Sequence, residues 1–460
     1  MSRQEEHPNA RQLRAFLRAD LEIEDEAVLR DHLLEDRCLR CLLALHGLMA
    51  REAEGDRGHL REGRRAPLGS EERTRLLLRV ARQVEHRAFL AEIEELLAPE
   101  LLGELLLKPS RKRAEAVRGT AKYRLLGLAV HAAQRARELV FSDVAQARDH
   151  GHLAVEVADW LDPAVYGRRE VAAARARAWG ALGNAQRVQE EFRDAECSLA
   201  QARQLLAAAT GDPLERADLL SLEGSLRMAQ AQYAEARSVL EEAAAIFHRQ
   251  GALQDETKLL IKLGKAFGED GDADRAVSLC RAAGERLGPM GDKRLRVQAL
   301  QAEATFLTEA GRASEARAVY DGFVAEYLEQ VPGFVGRQHL AWLGARIAWA
   351  EGRLTQAEEE LQRVRAAFVE REHPYDYALA SLDLARLYLE QGRKAEARRL
   401  AAELFPVFRS HDVHRHAVTA LLLVQRAIES GEATVERVHD VSRYLHRARH
   451  NPYLAYEPAA

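Results

Sequence analysis

Cysteine is scarce, with four residues in a chain of 460, two of them in a Cys-x2-Cys. That is no disulfide framework for a secreted domain, and it points to thiols kept reduced or bound to metal. Aromatic residues make up 6% of the chain, beside 29 glycines and 12 prolines, which argues against sandwiches and barrels. No apolar run approaches the roughly 20 residues needed to span a bilayer, and Met1 to Asn9 lacks the hydrophobic core of a signal peptide. A cytoplasmic protein with no membrane partner is expected. The formal net charge of −5 gives no whole-chain attraction to phosphate backbones, so nucleic acid is not an expected partner. Phosphate-binding Gly-rich loops with Lys, Gly-x-Ser-x-Gly and His-Glu-x2-His are all missing. No enzymatic activity is expected.

What the chain has in quantity is Ala, Leu, Glu and Arg, the residues of long amphipathic helices. It is too long for one compact core, which suggests several domains or a repeat array. A small residue recurs at Gly183, Gly224, Gly264, Ala304, Ala345 and Ala385, spaced by 41, 40, 40, 41 and 40 residues. Twelve residues after each stands Ala195, Ala236, Ala276, Ala316, Ala357 or Ala397. One small residue on each helix of a hairpin lets the pair approach closely. Between the two series lie Gly271-Asp272, Gly311-Arg312, Gly352-Arg353 and Gly392-Arg393, where glycine can end a first helix with positive φ. Six helix hairpins follow.

The local motif resembles the tetratricopeptide repeat. Trp179-x2-Leu182-Gly183, Leu260-x2-Leu263-Gly264-x2-Phe267 and Ser381-x2-Leu384-Ala385-x2-Tyr388 open units, and Ala316-x3-Tyr320 or Ala236-x3-Leu240 continue them. HEAT and armadillo repeats share the period but not this motif. A period of 40 or 41 instead of about 34 implies longer helices or linkers, as in the tetratricopeptide-like sensor domains of some bacterial regulators. The expected fold is all-α, a right-handed α-solenoid of about six clear tetratricopeptide-like hairpins with a small N-terminal helical domain. The expected organisation is a head over 1–50, a charged linker and amphipathic helices over 51–119, and a degenerate leading hairpin over 120–170. Repeats over 171–410 and capping helices over 411–460 complete it. In that family the first helix of each pair lines a concave surface that binds partners. Counting at helical spacing from the small residues gives Arg177, Asn184, Arg187, Lys258, Lys265, Gln301, Thr305, Trp342, Arg346, Trp349 and Arg386 as groove candidates. Among them Trp342, Arg346 and Trp349 form an i, i+4, i+7 stripe, suited either to an interface or to packing between hairpins.

The head departs from the repeat register and holds His7, His32, Cys38 and Cys41. Two thiolates and two imidazoles match a closed tetrahedral structural zinc site, which would brace helices too short to be stable alone. The alternative is a surface His7, a His32 that caps a helix C-terminus, and two buried thiols. The arrangement resembles the zinc-binding anti-sigma domain of bacteria, in which an N-terminal His precedes a His-x3-Cys-x2-Cys segment. Here five residues separate His32 from Cys38, so the two cannot share one helical face. The resemblance implies a structural zinc and a sigma factor as partner. His411, His414 and His416 read as solvated loop residues, Glu269, Asp270, Asp272 and Asp274 as an acidic turn, and Arg111, Lys112 and Arg113 as solvated surface. Cys280 reads as core and Cys197 as partly buried.

The functional expectation is a protein–protein interaction module: a regulator or adaptor whose groove takes a protein or peptide, with an anti-sigma-like head controlling transcription. The alternative is a purely structural scaffold in a multiprotein assembly.

Overall fold

The structure, a computed structural model, describes residues 10–18, 25, 28–29, 41, 45, 90–140, 142–209, 211–288, 291–331, 333–371, 373–410, 421–422, 424–425, 427–428 and 434–448. Among these residues all regular structure is helical. No helix among them is long and apolar enough to cross a membrane.

Two compact units divide the chain, Met1–Leu222 and Glu223–Ala460. In the first, α1 (Ala10–Arg18), α2 (90–106) and α3 (Ser110–Gly119) precede a hairpin of α4 (Leu126–Leu139) and α5 (Val144–Asp159). The one-turn α6 (Pro163–Tyr166) leads to a second hairpin, α7 (Arg168–Val188) with α8 (Phe192–Ala207). Its core joins Leu102 and Leu105 of α2 to Leu128, Ala132, Leu153 and Val157 of the leading hairpin.

The unit boundary falls within α9 (Pro213–Ala229). The second unit holds α10 (Tyr233–Arg249), α11 (Leu253–Glu269), α12 (Ala273–Leu287), α13 (Lys293–Glu309), α14 (Ala313–Gln330), α15 (Phe334–Ala350), α16 (Leu354–Glu370), α17 (Pro374–Glu390), α18 (Lys394–Ser410) and α19 (Val435–Ala448). From α10 to α18 each helix packs on the next, and α19 packs on α17. The first helices α11, α13, α15 and α17 are 17 residues long, so long helices account for the 40-residue period.

First and second helices differ in burial, and the difference sets up the functional face. Residues Asp376 to Ala385 of α17 are buried without a break, because a first helix packs against its own partner and against neighbouring hairpins. A second helix such as α12 buries only the stripe Ala276, Val277, Cys280 and Ala283, the pattern of an outer layer. The small-residue series sits where the two layers meet. All six second-helix alanines, from Ala195 to Ala397, are 0% exposed. An added Cβ at Gly264 would lie 2.5 Å from Cys280 Sγ, and one at Gly224 2.5 Å from Leu240 Cδ2. Cys280 is core as expected, and burial pushes its thiol up to about 12.

The turns repeat in the same register, seven residues after the small residue. Gly352 (φ 77°) and Gly392 (φ 72°) take the left-handed conformation there. Gly352 N–H donates to Trp349 O and Arg353 N–H to Ala348 O, both at 2.9 Å, which satisfies the last carbonyls of α15. Glu190 (φ 66°) and Ala231 (φ 59°) make the same turn without glycine, at a steric cost of about 1–2 kcal/mol each. Ion pairs then link one hairpin to the turn of the next: Arg237 to Asp270, Arg317 to Glu351 at 3.1 Å, and Glu358 to Arg393 at 2.6 Å. Being partly exposed, they help to set register more than they stabilise.

Candidate functional site

On the inner face of the second unit the first helices present polar or charged side chains at two fixed offsets from the small residue. One residue after it stand Lys265, Thr305, Arg346 and Arg386; five residues after Gly264, Ala304 and Ala385 stand Glu269, Glu309 and Glu390. A separation of four puts both rows on one side of each helix. Arg346 Nη2 donates to Glu309 Oε1 at 3.1 Å, and its Nε lies 3.9 Å from Asp383 Oδ2. Arg346 therefore bridges α13 and α17 from α15.

Lys265 and Glu269 are exposed, yet burial holds the Lys265 amine below its ordinary value, against the opposing pull of Cys280 and Glu269. Burial likewise raises the Glu269 carboxyl, and Glu309 adds to the rise, while Arg443, Arg346 and Lys265 pull it down. Burial also works against the charge of Arg346, but Glu309 and Asp383 more than offset it, and its pKa ends above the ordinary value. The charges of Arg443 on α19 and Arg346 on α15 both favour the ionised form of Glu269 on α11. His439, one turn before Arg443, is lowered by burial and then by Arg386 and Arg443, against the pull of Asp383 and Glu309.

The structure distributes the eleven groove candidates between the two units. In the first, Arg177 pairs with Glu215, Nη2 to Oε1 at 2.5 Å. Asn184 is buried and accepts from Arg187 Nε at 3.1 Å, and burial pushes Arg187 down to about 10. In the second unit Lys258 pairs with Asp255 at 2.8 Å, and Thr305 Oγ1 donates to the Gln301 carbonyl at 2.9 Å. Trp342 is 7% exposed, stands edge-to-face on Phe368 with centroids 6.2 Å apart, and donates its indole N–H to Asp383 Oδ2 at 2.9 Å. Trp349 donates to Glu390 Oε2 at 2.8 Å and lies beneath the Arg386 guanidinium, 4.9 Å from the ring centroid. The next hairpin thus occupies both indoles of the stripe and leaves Arg346 between them.

Sequence reasoning missed Glu269, Glu309, Asp383, Glu390, His439 and Arg443. The three glutamates carried a readable signal in their constant offset of five. Glu269 is the last residue of α11 and lies before the turn, whereas Asp272 caps α12 by accepting from Arg275 N–H. Two further expectations are corrected. Cys197 is exposed, because it falls on the solvent side of an outer-layer helix. Arg113 is not solvated surface, since it donates to Asp149 Oδ2 at 2.9 Å and to the Lys108 and Leu106 carbonyls. Of the proposed zinc ligands Cys41 is buried, whereas His7, His32 and Cys38, like His411, His414 and His416, lie outside the described residues.

No protein-family model matches this chain, and no curated protein matches its sequence. Its structure is similar to the crystal structure of a Rap protein complexed with Competence and Sporulation Factor, with a TM-score of 0.54 at 11% identity, over 69% of this chain and 87% of that one. The chain folds as a tetratricopeptide-like α-solenoid. The solenoid also matches the apo form of the quorum sensor NprR from B. thuringiensis, with a TM-score of 0.49 at 15% identity over 67% of this chain and 83% of that one.

Proposed function

We propose that the inner face of the second unit binds an extended peptide or protein segment, and that the chain acts as a regulator or adaptor through this contact. The observation that carries the reading is the pair Lys265 and Glu269. Both sit among protein atoms, their charges disfavoured by burial, and neither makes a hydrogen bond or ion pair among the described residues. Both side chains remain exposed, so each charge is open to pair with a polar chain laid across it. The Rap protein of similar fold is complexed with Competence and Sporulation Factor, and the proposal extends a bound partner to this chain.

The test is selection from a displayed random-peptide library by the full-length protein, followed by affinity measurement on a Lys265→Glu variant. Loss of one charge-assisted contact and its replacement by repulsion should weaken the selected peptides about tenfold or more. Arg363→Glu, at a side chain 74% exposed, is the control and should leave affinity unchanged. Peptides that bind both variants equally well would place recognition elsewhere.

The head enters the proposal on its sequence alone. We propose that His7, His32, Cys38 and Cys41 hold a structural zinc, whose donor set of two thiolates and two imidazoles suits a closed tetrahedral site, and that the head contacts a sigma factor, as the family resemblance implies. Elemental analysis of the full chain should find about one equivalent of zinc, lost in a Cys38→Ser, Cys41→Ser double variant. Less than about half an equivalent in wild type would dismiss the site.

A further inference from the structure

The two most exposed large apolar side chains among the described residues are Leu107, at 89%, and Leu96, at 81%. Leu96 lies on α2 and Leu107 directly follows it, and Leu107 N–H donates to Gly103 O at 3.1 Å, so the helical turn carries through to it. Leu96, Glu100, Gly103 and Leu107 therefore stand at i, i+4, i+7 and i+11, one stripe along the rod. Ile93 and Leu97, both exposed, flank that stripe. The opposite side of α2 carries Ala98, Leu102 and Leu105, which belong to the core of the first unit. The core is thus complete without the stripe.

A glycine inside a helix weakens it relative to alanine. Gly103 is nevertheless exposed, takes no left-handed φ, and has nothing within 4 Å of where its Cβ would stand. Nothing within the chain calls for a small residue there, whereas a second helix crossing at close range does. The charges identify that helix. Glu92, Glu95 and Glu100 are exposed along the first part of α2, while Lys108, Arg111 and Lys112 follow its end. None of these six side chains makes a hydrogen bond or ion pair among the described residues. The helix dipole suits Lys108 at the end of α2 but disfavours Arg111 and Lys112, which stand in the first turn of α3. An acidic half and a basic end on one rod complement each other when two copies lie antiparallel.

We infer that the outer face of α2 is a two-fold interface between copies of this chain, in which two α2 helices cross antiparallel beside Gly103. Leu96 of one copy then meets Leu107 of the other, and the acids at the start of one α2 face the cations beyond the end of the other. Glu100 falls opposite Gly103 of the second copy, where the missing side chain leaves it room to turn to solvent. One helix pair buries less than a standard interface, so the association should be concentration-dependent, with a dissociation constant on the order of micromolar.

Sedimentation equilibrium of the full-length protein up to about 200 µM tests it, and wild type should show a monomer–dimer equilibrium. Leu96→Glu and Leu107→Glu should each weaken the dimer about tenfold or more. Both side chains are exposed, so the dilute variants should melt as wild type does. Gly103→Leu adds apolar surface and yet should also weaken the dimer, because it blocks the close crossing; a tighter dimer would overturn that crossing. Two charge-reversed proteins, one with Arg111→Glu and Lys112→Glu and one with Glu92→Lys and Glu95→Lys, should each self-associate poorly. Their equimolar mixture should recover the wild-type affinity, since each mixed pair restores opposite charges at both ends. A wild-type chain that stays monomeric throughout, a dimer untouched by Leu96→Glu, or a mixture no tighter than its components overturns the interface.

Discussion

Trp342→Ala is expected to destabilise the second unit by about 3–5 kcal/mol, read as a drop in the denaturation midpoint of the full chain. The indole is 7% exposed and belongs to the core cluster that joins α15, α16 and α17. Truncation opens a cavity against Phe368 and removes the N–H that Asp383, itself 4% exposed, accepts. The second loss is smaller than the first, because Arg346 and Arg386 still face that carboxylate. Trp342→Phe separates the two effects. It keeps most of the apolar volume, loses the donor, and should cost about 1–2 kcal/mol. A repeat array is held together by neighbour-to-neighbour contacts, so the damage should appear as early melting of the α17–α19 end before the rest. A Trp342→Ala protein that melts within about 2 °C of wild type would mean that the joint is not held by this ring.

The second large effect is expected at Gly268, in the last turn of α11. An added Cβ there would lie 2.0 Å from Phe306 Cε1 and 2.3 Å from Cζ. Phe306 is 4% exposed, so its ring has little room to withdraw. Overpacking of this kind costs about 1–3 kcal/mol, while the gain in helix propensity from glycine to alanine returns about 1 kcal/mol. The direct backbone approach of a rigid ring puts Gly268→Ala near the upper end, for a net loss of about 2 kcal/mol. Gly322 of α14 has nothing within 4 Å of where its Cβ would stand, so Gly322→Ala should keep the propensity gain. Phe306→Leu should rescue Gly268→Ala, and the double variant should be more stable than the sum of the singles predicts by more than about 1 kcal/mol. Strict additivity would show that the two residues do not meet.

Much of this architecture could be read before any coordinates. The 40-residue spacing from Gly183 to Ala385, answered twelve residues later by alanine, required close helix pairs, because only small side chains allow such an approach. Gly271, Gly311, Gly352 and Gly392 marked turns that need a left-handed residue. Glu190 and Ala231 make the same turn and escaped notice, since neither residue type announces a positive φ. The site was legible in half of its rows. Lys265, Arg346 and Arg386 follow the small residue directly and were found by helical counting; Glu269, Glu309 and Glu390 follow the same arithmetic, but an acidic residue near a turn has a simpler local explanation.

What the sequence alone determined is the periodicity: which residues share a helix face, where each hairpin turns, and that the chain builds an array of helix pairs. These properties depend on contacts a few residues apart, and the helical repeat of 3.6 residues makes them countable. The tertiary structure decided which faces are used. That Trp342 and Trp349 are taken by Asp383 and Glu390, each 41 residues away, depends on how one hairpin packs against the next. That the charges of Arg386 and Asp383 on α17 act on His439 of α19 depends on where a helix outside the repeat docks. Neither is encoded in local spacing, because docking is set by the summed packing of the surfaces that meet and not by any single position in the chain.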